Sequence, residues 1–146
     1  MKERLVSFKT AKLAKEKGFN EPVYAIYTTP LVENDLKKYE LEYCGGKDYY
    51  NYNTDGVNKS YQKILNNLGI KEHISASTQN LLQQWLREKY NLMIQIDYGL
   101  LSNTYWYYIL DKKTGKCIEQ DTISTTIYED ALEYGLQEVL KYIENE

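Results

Sequence analysis

Between Ser75 and Ile143 the apolar residues change period twice. Leu81, Leu82, Trp85 and Leu86 recur at helical spacing, Ile94 and Ile96 alternate, and Ile127, Ala131, Leu132, Leu136, Val139, Leu140 and Ile143 return to helical spacing. A helical stripe buries one side of a cylinder, whereas a two-residue alternation buries one face of a pleated strand. This succession confines residues 75–146 to a helix-strand-strand-strand-helix unit, with two helices on one face of an antiparallel sheet. The fold class expected is therefore α+β.

The first of these helices opens at Ser75 or Ser77 and closes near Asn91, with His73 just before its start. Three strands are expected, over Leu92–Tyr98, Thr104–Leu110 and Lys116–Thr122. The run Asp111-Lys112-Lys113-Thr114-Gly115 makes a hairpin turn, because Gly115 adopts positive φ without steric cost. A capping box of Thr126 with Glu129 opens the last helix, Ile127–Ile143.

The first 74 residues read as an N-terminal elaboration of one domain spanning 1–146. Ser7–Lys17 is a helix, capped by Ser7 and stopped by Gly18 and Phe19. The β-prone run Val23–Tyr27, between Pro22 and Pro30, suits a strand. Leu36–Tyr43 is a strand or short helix, followed by a long polar loop rich in tyrosine, and Tyr61–Leu68 is a short helix ending at Gly69. Loops of that length usually bind something or move.

Composition narrows the function classes. At 146 residues, 42% hydrophobic and 27% charged, the chain has the size and make-up of one folded domain. No apolar run reaches the roughly 18 residues of a membrane span, and the opening Met1-Lys2-Glu3-Arg4-Leu5 lacks a signal-peptide core. Cys44 and Cys117 are isolated and His73 is the one histidine, so neither a zinc site nor a disulfide framework is indicated, and no cofactor is expected. Two thiols fit a reducing cytoplasm, although the spacing leaves a Cys44–Cys117 bridge open. Only Arg4 and Arg87 among 18 basic residues are arginine, which argues against bidentate phosphate recognition. Basic residues crowd the first twenty positions and acidic ones the last twenty-eight, a gradient that ordinary solvated helix surfaces explain.

Most motif fragments fail on their own chemistry. Asn51, Asn53, Asp55 and Gly56 match the first half of a calcium loop, but the twelfth position is Gln62 where a bidentate carboxylate is required. Gly45-Gly46-Lys47 lacks the spacing of a phosphate loop and is followed by Asp48. A cysteine nucleophile would need His73 beside it, and no carboxylate pair stands out among 21 acids. The informative excess is aromatic: 16 tyrosines against 2 phenylalanines and 2 tryptophans. Tyr49, Tyr50 and Tyr52 lie in the polar loop, where a tyrosine anchors binding at low entropic cost. Tyr105-Trp106-Tyr107-Tyr108 lies on a strand, so Tyr105 and Tyr107 share one face and Trp106 and Tyr108 the other. Tyr49, Tyr50, Tyr52, Tyr105 and Tyr107 are the candidate binding residues.

Two resemblances accompany this reading. The order and size of residues 75–143 resemble the double-stranded-RNA-binding domain, which implies a lysine-rich phosphate clamp at the start of the last helix. Here that position reads Thr126-Ile127-Tyr128-Glu129-Asp130, whose two carboxylates would face phosphates, which argues against nucleic acid as a partner. The strings Ser77-Thr78-Gln79, Leu81–Lys89, Tyr128–Leu132 and Gly135–Glu138 are similar to small uncharacterised proteins of phages and prophages of gut Bacteroidetes. That likeness implies an origin and no catalytic residues. The function expected is a non-catalytic interaction protein that binds a host or phage protein. A nucleic-acid-binding accessory factor and an enzyme lacking recognisable motifs are the alternatives.

Overall fold

The computed structural model describes residues 3–31, 39–43, 51–53, 59–120 and 124–143, with the backbone alone for 59–61. The architecture is α+β: four helices and two three-stranded antiparallel sheets among the described residues. The chain divides into two compact units, Ser7–Ser77 and Met1–Val6 with Thr78–Glu146. The unit Ser7–Ser77, which takes in most of the 1–74 stretch expected as an elaboration, carries a sheet and buried residues of its own.

The unit Ser7–Ser77 opens with α1, Phe8–Glu16. Ser7 Oγ accepts the Thr10 amide at 3.2 Å, satisfying one of the orphan donors of the first turn. At the other end Gly18 takes φ 88°, and the amides of Gly18 and Phe19 return to the carbonyls of Lys15 and Ala14 at 3.1 and 2.9 Å. This Schellman closure turns Phe19 inward, where it is buried. The sheet has the order β2-β1-β3, formed by β1 (Ala25–Pro30), β2 (Glu40–Tyr43) and β3 (Ile70–Ser75), and α2 (Lys59–Asn67) precedes β3. As the central strand, β1 is buried from Ala25 through Thr28. It begins two residues later than expected and runs through Pro30, where the register with β3 shifts between Thr29 and Pro30. Proline lacks the amide that would continue the ladder, so the slip falls at the strand end.

The strand β3 is a correction to the sequence reading, which set Ser75 and His73 at a helix start. Its residues Lys71-Glu72-His73 have low strand preference, yet pairing with β1 buries Ile74 and Ser75. Asn53 reinforces this arrangement: its Oδ1 accepts the Ser75 amide at 2.8 Å and its Nδ2 donates to the Phe19 carbonyl at 3.1 Å.

The second unit contains α3 (Gln79–Tyr90), β4 (Leu92–Gly99), β5 (Thr104–Asp111), β6 (Cys117–Gln120) and α4 (Tyr128–Tyr142). The cap of α3 is Thr78, whose Oγ1 accepts the Leu81 amide at 3.1 Å. Ser75 and Ser77 are buried instead. Asn91 closes α3 in the left-handed region at φ 57°. The sheet order is β4-β5-β6, and β4 pairs with β5 over eight residues, from Leu92 opposite Asp111 to Gly99 opposite Thr104. Leu92, Ile94, Tyr107 and Ile109 form its buried face, and both helices pack on that face. Gly135 brings α4 close: a Cβ there would lie 2.9 Å from Ile94 Cγ2 and 3.2 Å from Tyr107 Cγ.

Two details of α4 differ from expectation. Ile127 is its cap residue and makes no side-chain cap bond, so the Thr126 and Glu129 capping box is not formed. Ile127, counted in the core stripe, is exposed because the stripe turns inward only from Ala131. Residues 3–6 belong to this unit through a bridge of Leu5 to Thr78 and an Arg4 carbonyl that accepts the Gln79 amide at 2.9 Å.

Candidate interaction surface

The turn joining β4 to β5 is held by polar groups. The Asn103 amide donates to the Gly99 carbonyl at 2.8 Å with Asn103 at φ 55°, the Tyr98 hydroxyl bonds Asn103 Oδ1, and the Ser102 and Thr104 hydroxyls lie 2.7 Å apart. Gly99 leaves room for its neighbours, since a Cβ there would sit 2.7 Å from Ser102 Oγ and 2.9 Å from Trp106 Cζ3 and would oblige those side chains to shift. The two residues at the tip, Leu100 and Leu101, have relative exposures of 88% and 106%. They contribute nothing to burial within the chain, at a place where Gly, Asn, Asp and Ser are the usual occupants.

A tyrosine array adjoins this tip. Tyr105 lies 4.8 Å from Tyr98 and 5.7 Å, edge to face, from Tyr128. The Tyr105 amide donates to the Thr125 carbonyl at 2.7 Å and its carbonyl accepts the Thr125 amide at 3.0 Å, which fixes the start of α4 beside β5. Tyr98, Leu100, Leu101, Ile127 and Tyr128 are all exposed, so a leucine tip and an aromatic platform occur at one end of the unit. Apolar groups in water with polar hydroxyls at their rim are the usual make-up of a contact surface for another protein.

The predicted binding residues separate. Tyr105 joins this array, whereas Tyr107, from the same strand face, is 4% exposed and belongs to the core beneath α4, a correction to its candidacy. Alternation assigned the two faces, but the contact with Gly135 determines that the inner positions of this face are covered. On the opposite face Trp106 Nε1 donates to the Tyr108 hydroxyl at 2.9 Å, and both rings are half-buried. Tyr52 is half-buried, its amide donating to Ser75 Oγ at 3.0 Å and its ring edge-on to His73 at 6.1 Å. Tyr49 and Tyr50 lie outside the described residues. Leu100 and Leu101 were missed, although a Leu-Leu pair between Gly99 and Asn103 is a readable signal of an apolar turn.

The remaining chemistry is sparse. Among the described residues no three His, Cys, Asp or Glu side chains gather as metal ligands. Asn53 spends its oxygen on Ser75, and Asp55, Gly56, Cys44 and Gly45-Gly46-Lys47 fall outside the described residues. Cys117 is exposed on β6 and its thiol donates to the Glu119 carbonyl at 3.3 Å. Burial pushes the His73 pKa below 6.5; Glu42 acts against that shift and Lys15 with it. In the unit Ser7–Ser77 a depression of about 300 Å³ lies between Phe8, Lys12, Pro30, Leu31 and Lys71, at the lower limit for small-molecule pockets. Among the described residues no helix is long and apolar enough to cross a membrane. No protein-family model, curated protein or solved structure matches the chain.

Proposed function

We propose that this chain is a non-catalytic protein-binding module whose contact surface is the Leu100–Leu101 tip with the Tyr98, Tyr105 and Tyr128 platform. The observation that carries the reading is the exposure of both leucines on a turn whose backbone is already closed by the Asn103 amide on the Gly99 carbonyl. Burying one leucine in a partner returns roughly 1.5–3 kcal/mol, and tyrosines beside such an anchor are common hot spots. The resemblance of the Leu81–Lys89, Tyr128–Leu132 and Gly135–Glu138 strings to small phage proteins supports a phage or prophage origin, with a cytoplasmic host factor as the target. Nucleic acid is the weaker candidate, because the first turn of α4 carries Glu129 and Asp130.

The test is affinity capture from host lysate with the native chain and with a Leu100→Ser/Leu101→Ser variant. The variant is expected to keep its unfolding midpoint and to lose a specific partner, with affinity reduced at least about tenfold. An unchanged set of captured proteins would refute the surface.

A further inference from the structure

The starts of α3 and α4 enclose a second depression, of about 240 Å³, with Leu132, Tyr128, Asn80 and Gln79 in its lining. Gln79 is 4% exposed, and its Nε2 donates to the Glu129 carbonyl at 2.9 Å and to Glu133 Oε1 at 3.1 Å. Glu133 is itself buried, so both amide protons of Gln79 are committed to acceptors and the orientation of the amide is fixed. That leaves Gln79 Oε1 as a buried acceptor with no donor among the described residues, on a side chain that lines the depression. A buried acceptor is costly to leave unmade, so the site calls for an N–H or O–H from outside the chain.

The rim specifies the charge of that donor. Glu3, Glu129 and Arg4 all belong to the lining; Glu3 accepts from Asn80 Nδ2, the side chains of Glu3 and Glu129 are exposed, and the Arg4 guanidinium pairs with Asp130 at 2.8 Å. The lining therefore carries an excess of negative charge, and the exposed ring of Tyr128 offers a face to a cation. The volume falls below the range of cofactor and drug-sized pockets and suits a single side chain.

We propose that this depression receives a basic side chain of the partner protein, arginine foremost, with one N–H on Gln79 Oε1, another on Glu129 and the guanidinium plane against Tyr128. Arginine suits it better than lysine because its planar fork supplies several fixed donors and stacks on aromatic rings. The source of the side chain rests on the protein-binding reading above, with which the depression shares Tyr128; the pocket itself is tested separately.

The probe is Nα-acetyl-arginine methylamide, titrated into ¹⁵N-labelled protein while the Gln79 side-chain amide and the Asn80 and Glu129 backbone signals are followed. Saturable shifts at these positions are expected, with binding at least tenfold weaker for the uncharged isostere Nα-acetyl-citrulline methylamide. A Glu3→Gln/Glu129→Gln variant, altered only at exposed side chains, should weaken the arginine probe at least tenfold while keeping the native spectrum elsewhere. Absence of saturable Gln79 shifts, equal binding of the citrulline probe, or no effect of the double variant would overturn the proposal. A probe that binds although no leucine-dependent partner exists removes the protein-binding reading alone. A leucine-dependent partner with no bound probe removes the pocket alone.

Discussion

Adding one methyl group at Gly135 sets two known effects against each other. In a helix interior, glycine to alanine gains about 1 kcal/mol of intrinsic propensity. The new Cβ, however, would stand 2.9 Å from Ile94 Cγ2 and 3.2–3.3 Å from Tyr107 Cγ and Cβ. Both neighbours lie on paired strands beneath α4, and Tyr107 is buried, so relief requires the helix to lift from the sheet. Overpacking of this kind costs roughly 1–3 kcal/mol. The expected net effect of Gly135→Ala is a destabilisation of about 1 kcal/mol, which lowers the urea midpoint by roughly 0.3–1 M. Gly135→Val adds two further methyl groups and a β-branch, and should cost about 3 kcal/mol or more. The assay is urea unfolding followed by tryptophan fluorescence, because Trp85 and Trp106 both belong to the unit containing α4 and report it selectively. A rise in midpoint for Gly135→Ala would refute the close packing of α4 on β4 and β5.

Thr78→Ala removes the acceptor for the Leu81 amide and should lower stability by about 1 kcal/mol, with Thr78→Ser restoring most of it, as read by the same fluorescence melts. His73 gives a pH signature whose sign follows from its depressed folded pKa. Between that value and the unfolded 6.5 the unfolded chain binds more protons, so the contribution of His73 is complete above about pH 6.5 and is lost as pH falls through the folded value. His73→Gln should flatten the dependence of the urea midpoint on pH below about 6.5, followed by far-UV circular dichroism because the unit Ser7–Ser77 holds no tryptophan, and an unchanged slope would exclude His73 as its source.

How much of this was legible depends on what each element uses to hold itself. The helix α3, the strands β4 and β5 and most of α4 were readable because one amphipathic stripe faces one core, and periodicity reports that directly. Gly115 at φ 72° and Gly18 at φ 88° mark turns that only the glycine itself had to announce. The strand β3 was not readable, since Ile70-Lys71-Glu72-His73 shows little strand preference and its register comes from β1, over forty residues away. The cap of α3 moved from Ser75 or Ser77 to Thr78 for the same reason: β3 extends through Ser75 and both serines are buried.

For the candidate surface the division is similar. That Tyr105 and Tyr107 share a strand face followed from alternation alone, because successive side chains of a pleated strand point to opposite sides. That Tyr107 is covered while Tyr105 joins Tyr98 and Tyr128 depended on where α4 crosses the sheet, and that crossing is fixed by the missing side chain of Gly135. The meeting of Gln79 with Glu133 likewise joins two helices 54 positions apart. Short-range spacing determined which segments became helices and strands. Only the tertiary structure decided which polar and aromatic groups were left facing water, because exposure depends on what packs against a residue and not on the residue alone.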